Sequence, residues 1–92
     1  YLILFYGCSK GTNCKTIQFV VSWTTKEKMS LDRINQYNID KRFGKAYLDK
    51  EGDPTLEFDV NLMGGVTRKN LEETFDWWKT AMVNFSKFVN NQ

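Results

Sequence analysis

Between Leu71 and Val89 the chain sets Leu71, Phe75, Trp78, Met82, Phe85 and Val89 at alternating spacings of four and three. That period belongs to a long α-helix with a single apolar stripe. A helix of this kind cannot bury its stripe on itself, so the rest of a 92-residue chain must supply a complementary apolar surface. Thr67 stands where an N-cap is needed, and Gly64-Gly65 breaks whatever precedes it.

The complementary surface is legible upstream. Ile17, Phe19, Val21 and Trp23 alternate with Gln18 and Ser22, and Leu56, Phe58, Val60 and Leu62 alternate with Glu57, Asp59 and Asn61. Both segments carry the two-residue period of a half-buried strand. The apolar run Tyr1-Leu2-Ile3-Leu4-Phe5-Tyr6 precedes the first of them across a polar, Gly- and Asn-bearing stretch from Gly7 to Lys15, which reads as a hairpin turn. Gly44 to Leu48 precedes the second across the turn-forming cluster Asp49-Lys50-Glu51-Gly52-Asp53-Pro54, a second hairpin. Between the hairpins Ser30 can cap a short helix that carries Leu31, Ile34 and Tyr37 on one face and ends near Asn38. The expected fold is α+β: an antiparallel sheet of two hairpins, a short middle helix and a long C-terminal helix laid across one sheet face, with residues 1–92 forming one domain. A hydrophobic content of 41% with 15% aromatic residues suits one modest core.

The net charge is +2 with mixed signs, too small to attract nucleic acid or an anionic membrane surface, and neither is expected as a partner. The chain opens at Tyr1 inside an apolar run, without Met, so a processed chain or an internal piece of a longer protein is expected.

Catalytic constellations are scarce. The sequence has no His, which excludes Ser-His-Asp and Cys-His arrangements. Glu57 and Asp59 share a strand face and could pair as acid and base, but the clean alternation around them favours a solvated outer face. Asp49, Glu51 and Asp53 have the odd-numbered spacing of a calcium loop. Pro54 stands where an EF-hand needs Gly, however, and Val60 where its bidentate Glu belongs, leaving an ordinary charged turn or an irregular cation site. No catalytic residue, metal or cofactor is expected. Gly64 and Gly65 ahead of a helix, with Arg68 and Lys69 in its first turn, could cradle an anion; a turn that needs positive φ explains the glycines equally. Trp77 and Trp78 lie about 100° apart around the helix, so one alone can sit at the stripe's centre. Trp78 is assigned to the core. Trp77, at the edge with Ala81 and Phe88, widens the apolar surface, and Trp77 and Phe88 become candidates for a partner surface unless further core elements cover them.

The two cysteines, Cys8 and Cys14, flank the loop of the first hairpin. A structural zinc site wants four ligands, and no His is present to complete one. A disulfide is expected, with two independent reduced thiols as the alternative. Such a short loop would gain about 2 kcal/mol from the cross-link in the chain-entropy model.

Taken in order, Arg33-Ile34-Asn35-Gln36-Tyr37-Asn38, Arg42-Phe43-Gly44-Lys45-Ala46-Tyr47-Leu48, Asp49-Lys50-Glu51-Gly52-Asp53-Pro54, Leu56-Glu57-Phe58-Asp59 and Gly64-Gly65-Val66-Thr67 resemble the consensus of the YbjN family of bacterial proteins. Phe5-Tyr6-Gly7-Cys8 and the Cys14 to Phe19 segment are similar to a cysteine-containing, exported branch of it. The resemblance implies a sensory-transduction regulator with a fold like that of type III secretion chaperones, which are usually homodimers that bind polypeptides. The expectation that follows is a non-enzymatic protein-binding, regulatory or chaperone-like domain, homodimeric and with a possible protein partner; the alternative is a small-molecule or ion-sensing domain. Family members normally carry a helix and at least one strand before the segment matching Tyr1, which this chain is expected to lack. For a bacterial chain, a persistent Cys8–Cys14 bond implies the periplasm or the exterior.

The disulfide is tested by intact mass after alkylation of the denatured, unreduced protein. Neither Cys8 nor Cys14 should take up reagent; modification of both would remove the bond and the compartment inferred from it.

Overall fold

A computed structural model describes residues 1–91 of the chain. Six elements follow in the order β1 (Leu2–Tyr6), β2 (Thr16–Ser22), α1 (Leu31–Asp40), β3 (Lys45–Leu48), β4 (Pro54–Asn61) and α2 (Arg68–Asn90). The four strands form one sheet in the order β1-β2-β4-β3, every neighbouring pair antiparallel. The two hairpins are thus joined through β2 and β4, and α1 carries the chain from one hairpin to the other. The α+β class and both helices agree with the sequence analysis.

The first hairpin turns on Lys10 and Gly11, whose φ of 51° and 78° put both central residues in the left-handed region. That is the backbone of a type I′ turn, whose twist matches that of the flanking strands. Ser9 and Thr12 exchange both backbone hydrogen bonds at 2.7 and 3.0 Å. Outside this turn Cys8 and Cys14 are joined by a disulfide.

On the helix-bearing face of the sheet Phe19 stands opposite Ile3 on one side and Phe58 on the other. Ile17 faces Val60 in the next row, and Val21, Leu56 and Ala46 make another. α2 crosses this face. Its N-cap is Thr67, whose hydroxyl accepts from the Asn70 N–H at 3.0 Å. Trp78, Phe85 and Val89 are buried on it as expected, whereas Leu71, Phe75 and Met82 are half-buried, and Thr74 joins the core in their stead. With residues advancing about 100° around a helix, Thr74 and Phe85 lie about 40° or more from the Phe75–Met82 side of the stripe. The helix is therefore rolled toward α1. Burial of Thr74 costs little because its hydroxyl donates to the Asn70 carbonyl one turn back, at 3.0 Å.

α1 explains the roll. Ser30 caps it, accepting from the Arg33 N–H at 3.2 Å, and it runs two residues past the expected end, to Asp40. Tyr37 packs its ring on Phe85 at 5.0 Å and on Phe88 at 4.8 Å. The Arg33 guanidinium lies 4.4 Å over the Phe88 ring and donates to the Phe88 carbonyl. Leu31, expected on the buried face, is instead 73% exposed. Two steps of three residues carry a helix about 120° away from a full repeat, so Leu31 cannot share a narrow stripe with Tyr37.

These placements rank the costs of truncation. Phe85→Ala, at a fully buried ring, should lose about 3–5 kcal/mol. Phe75→Ala should lose on the order of half that, and Trp77→Ala less than about 1 kcal/mol. Urea melts of the three variants check the order; a Trp77→Ala loss equal to that of Phe85→Ala would mean the helix is rolled the other way.

Candidate functional site

The sheet has two outer edges, and the chain treats them differently. Along β3, the Asn38 side chain accepts from the Ala46 N–H and donates to the Ala46 carbonyl, both at 2.9 Å. The amide of a helical residue thus takes the place of a neighbouring strand at Ala46, within that edge. Along β1, no strand or helix pairs the outer side among the described residues. β1 carries no charge, and its side chains are apolar on both faces: Leu2, Leu4 and Tyr6 outward, Ile3 and Phe5 on the helix side. Phe5 is 61% exposed. An unprotected, uncharged apolar edge is the arrangement that accepts another strand.

Beside β1, on the helix-bearing face, lies an open-sided groove of about 540 Å³. Its floor is Ile3, Phe5 and Ile17; its far wall is Leu71 and Phe75 of α2, and the 62–66 turn closes one end. The roll of α2 toward α1 leaves this flank of the helix uncovered.

The residues singled out from sequence are placed as follows. Phe88 is half-buried under Tyr37 and Arg33, so α1 takes up most of the surface expected to be free for a partner. Trp77 is 48% exposed, one side of its ring resting on Phe43 at 4.5 Å. Gly64 and Gly65 have φ of 85° and 82°, the left-handed conformation that the turn into α2 demands. The Gly65 N–H donates to the Leu62 carbonyl at 2.9 Å, and Arg68 and Lys69 pair with Glu72 and Glu73 one turn further along the helix, at 3.3 and 4.0 Å. The Gly65 N–H and both side-chain cations thus have partners within the fold. In the acidic turn the Asp49 carboxylate accepts from the N–H groups of Glu51 and Asp53 at 3.0 and 2.9 Å, while Lys28 donates to the Glu51 carbonyl. Among the described residues no cluster suited to a metal ion is present.

Glu57 and Asp59 do share the open sheet face, and both are bound into a cross-strand network. Gln18 donates to Asp59 at 2.9 Å and to Glu57 at 3.4 Å; the Tyr47 hydroxyl donates to Glu57, and the Lys45 ammonium lies 3.0 Å from it. Burial works against the Glu57 charge, but the hydrogen bonds from Tyr47 and Lys45 and the Lys45 charge outweigh it and hold the carboxyl below its ordinary value. Asn38 and Tyr47 were not singled out from sequence. An Asn near a helix end gives no sign that it will bond to a strand several residues later, and Tyr47 meets Glu57 only through β3–β4 register.

A four-stranded antiparallel sheet backed by two helices, with one edge capped at Ala46, one bare apolar edge and an apolar groove, defines a small α+β domain. The chain belongs to the YbjN family, described as "Putative bacterial sensory transduction regulator", whose match spans residues 1–90. No curated protein and no solved structure matches it, so the likeness to type III secretion chaperones rests on the family resemblance alone.

The network carries a pH signature. Burial first, then the hydrogen bond and charge of Glu57 and the charge of Asp49, push the Tyr47 phenol from 10.0 up to about 12. The folded state thus favours the neutral phenol: this stabilisation is whole below the ordinary tyrosine value and is lost as pH rises toward about 12. The Glu57 contribution is whole at neutral pH and lost as pH falls through its lowered value. In an alkaline absorbance titration one tyrosine should ionise near pH 12, and Tyr47→Phe should remove that step. Burial raises Tyr37 as well, so the variant makes the assignment. A late step that survives in Tyr47→Phe would show that the network is not formed in solution.

Proposed function

We propose that this domain is a non-enzymatic protein-binding and regulatory module that works as a homodimer, two copies pairing their β1 strands edge to edge. The observation that carries the reading is the contrast between the β3 edge, capped at Ala46 by Asn38, and the β1 edge, which no element pairs among the described residues. Proteins that must stay monomeric protect such an edge with charge, bulges or covering elements, and β1 has no charge to do so. Antiparallel pairing about a two-fold axis sets one copy of β1 against the other, and an uncharged strand meets itself without repulsion. The outward Leu2, Leu4 and Tyr6 of two copies would form a continuous apolar strip. Trp77, half covered by Phe43, is a secondary surface at most. The Cys8–Cys14 bond beside β1 supports work in an oxidising compartment, the periplasm or the exterior, where such a bond persists.

Sedimentation equilibrium at micromolar concentration tests the reading. The wild-type chain should show a dimer mass that depends on concentration. Leu4→Lys, which puts a charge in the middle of β1, should weaken the dimer at least tenfold with the melting profile of a folded monomer. Leu31→Lys, a charge at the exposed start of α1, should leave it intact. A wild-type monomer mass at every concentration, or equal loss in both variants, would overturn the proposal.

A further inference from the structure

We infer that the Cys8–Cys14 disulfide locks the register of β1, and that its reduction by a dithiol frees β1 to slip one residue along β2 and turn its faces over. The inference concerns pairing within one chain and is separate from the pairing of two copies.

The first hairpin holds two registers that disagree by one residue. In the ladder Tyr6 stands opposite Thr16, and in the turn Ser9 stands opposite Thr12. Between these pairs one strand has Gly7 and Cys8, and the other has Asn13, Cys14 and Lys15. Continued toward the turn, the ladder's register sets Cys8 against Cys14. Continued toward the ladder, the turn's register sets Cys8 against Asn13 and Gly7 against Cys14. The extra residue is taken up as a bulge, with Gly7 and Asn13 at φ of 64° and 51°. Asn13 is thereby held in the left-handed region, which a residue with a side chain enters at a cost.

The disulfide chooses between the registers. Successive residues of a strand point to opposite faces, so Cys8 and Cys14 share a face only in the ladder's register. In the other register their side chains lie on opposite faces of the hairpin and cannot be bridged. The hydrophobic pattern makes no such choice, because β1 is apolar on both faces. As built, Ile3 and Phe5 stand beside Phe19 and Ile17 on the helix side, and Leu2 and Leu4 beside Val20 and Gln18 on the open face. A slip of one residue sets Leu2 beside Phe19 and Leu4 beside Ile17, and sends Ile3 and Phe5 to the open face beside Gln18 and Thr16. Apolar replaces apolar at each of these places, no charge is buried, and the bulge is no longer required. A strand with one polar face resists such a slip; β1 has none. The moving strand is β1, because β2 is held on its other side by β4 and by the Leu62 N–H, which donates to the Lys15 carbonyl at 2.8 Å.

Cys8 is exposed, so a dithiol can reach it. One of its thiolates attacks the Cys8 Sγ and Cys14 leaves as thiolate; the second sulfur of the reagent then closes a ring and releases Cys8. The dithiol gives up two electrons and two protons as it becomes a cyclic disulfide, and the cysteines gain them as two thiols.

Nuclear magnetic resonance on the labelled whole chain, with and without dithiothreitol, reads the register directly. The oxidised protein should show cross-strand Overhauser contacts Ile3–Phe19 and Phe5–Ile17. Reduction should bring a second set, Leu2–Phe19 and Leu4–Ile17, gaining the intensity that the first set loses. The contact between Phe19 of β2 and Phe58 of β4 should persist throughout, as the mark of a folded domain. The double change Cys8→Ser, Cys14→Ser should show both sets without reductant. Deletion of Asn13 from that variant brings turn and ladder into one register and should restore the first set alone. A reduced chain that keeps only the first set, loss of the β1 contacts with no second set, loss of the Phe19–Phe58 contact with them, or a double-serine variant indifferent to the deletion would each overturn the inference.

Discussion

The contact between Phe19 and Trp78 sets the frame for the rest of the molecule. Neither ring is exposed, their centroids are 5.3 Å apart, and Phe75 meets Phe19 edge-on at the same distance. β2, which carries Phe19, is one of the two inner strands, so the contact ties the helix to the middle of the sheet. Removing a buried aromatic side chain costs on the order of 3–5 kcal/mol, against a total stability of about 5–15 kcal/mol for a domain of ordinary size. The helix position is therefore not free to adjust, and the groove, the shielded flank and the exposed ring of Trp77 follow from it.

What remains variable is how the two flanks of α2 are finished. On one, α1 supplies Tyr37 to the core, lays Arg33 over Phe88 and extends Asn38 to the backbone of β3. One short helix thus fills a core gap, covers an aromatic ring and caps a sheet edge at Ala46. On the other flank no equivalent element stands among the described residues, and the apolar groove and bare β1 edge lie side by side.

The polar groups of the open sheet face and of the acidic turn are held within the fold. On the open sheet face Glu57 is held by Gln18, Tyr47 and Lys45, and in the acidic turn Asp49 is held by backbone N–H groups. These carboxylates have partners within the fold.

By itself the sequence determined the elements and their faces: the two-residue period around Phe19 and Phe58, the stripe through Trp78 and Phe85, the caps at Ser30 and Thr67, the cysteine-flanked turn, and the division of Trp78 inward from Trp77 outward. Each is a relation among residues a few positions apart, governed by strand and helix periodicity and by turn chemistry. Tertiary structure alone decided how those faces were shared out. The joining of the hairpins through β2 and β4, the roll of α2 that buries Thr74 and leaves Phe75 half-open, the exposure of Leu31, and the bonding of Asn38 to β3 all depend on contacts between elements. Such contacts link residues as far apart in the chain as Phe19 and Trp78. Periodicity says which side of an element is apolar; which neighbour covers that side, and how completely, is settled when elements compete for the same limited core.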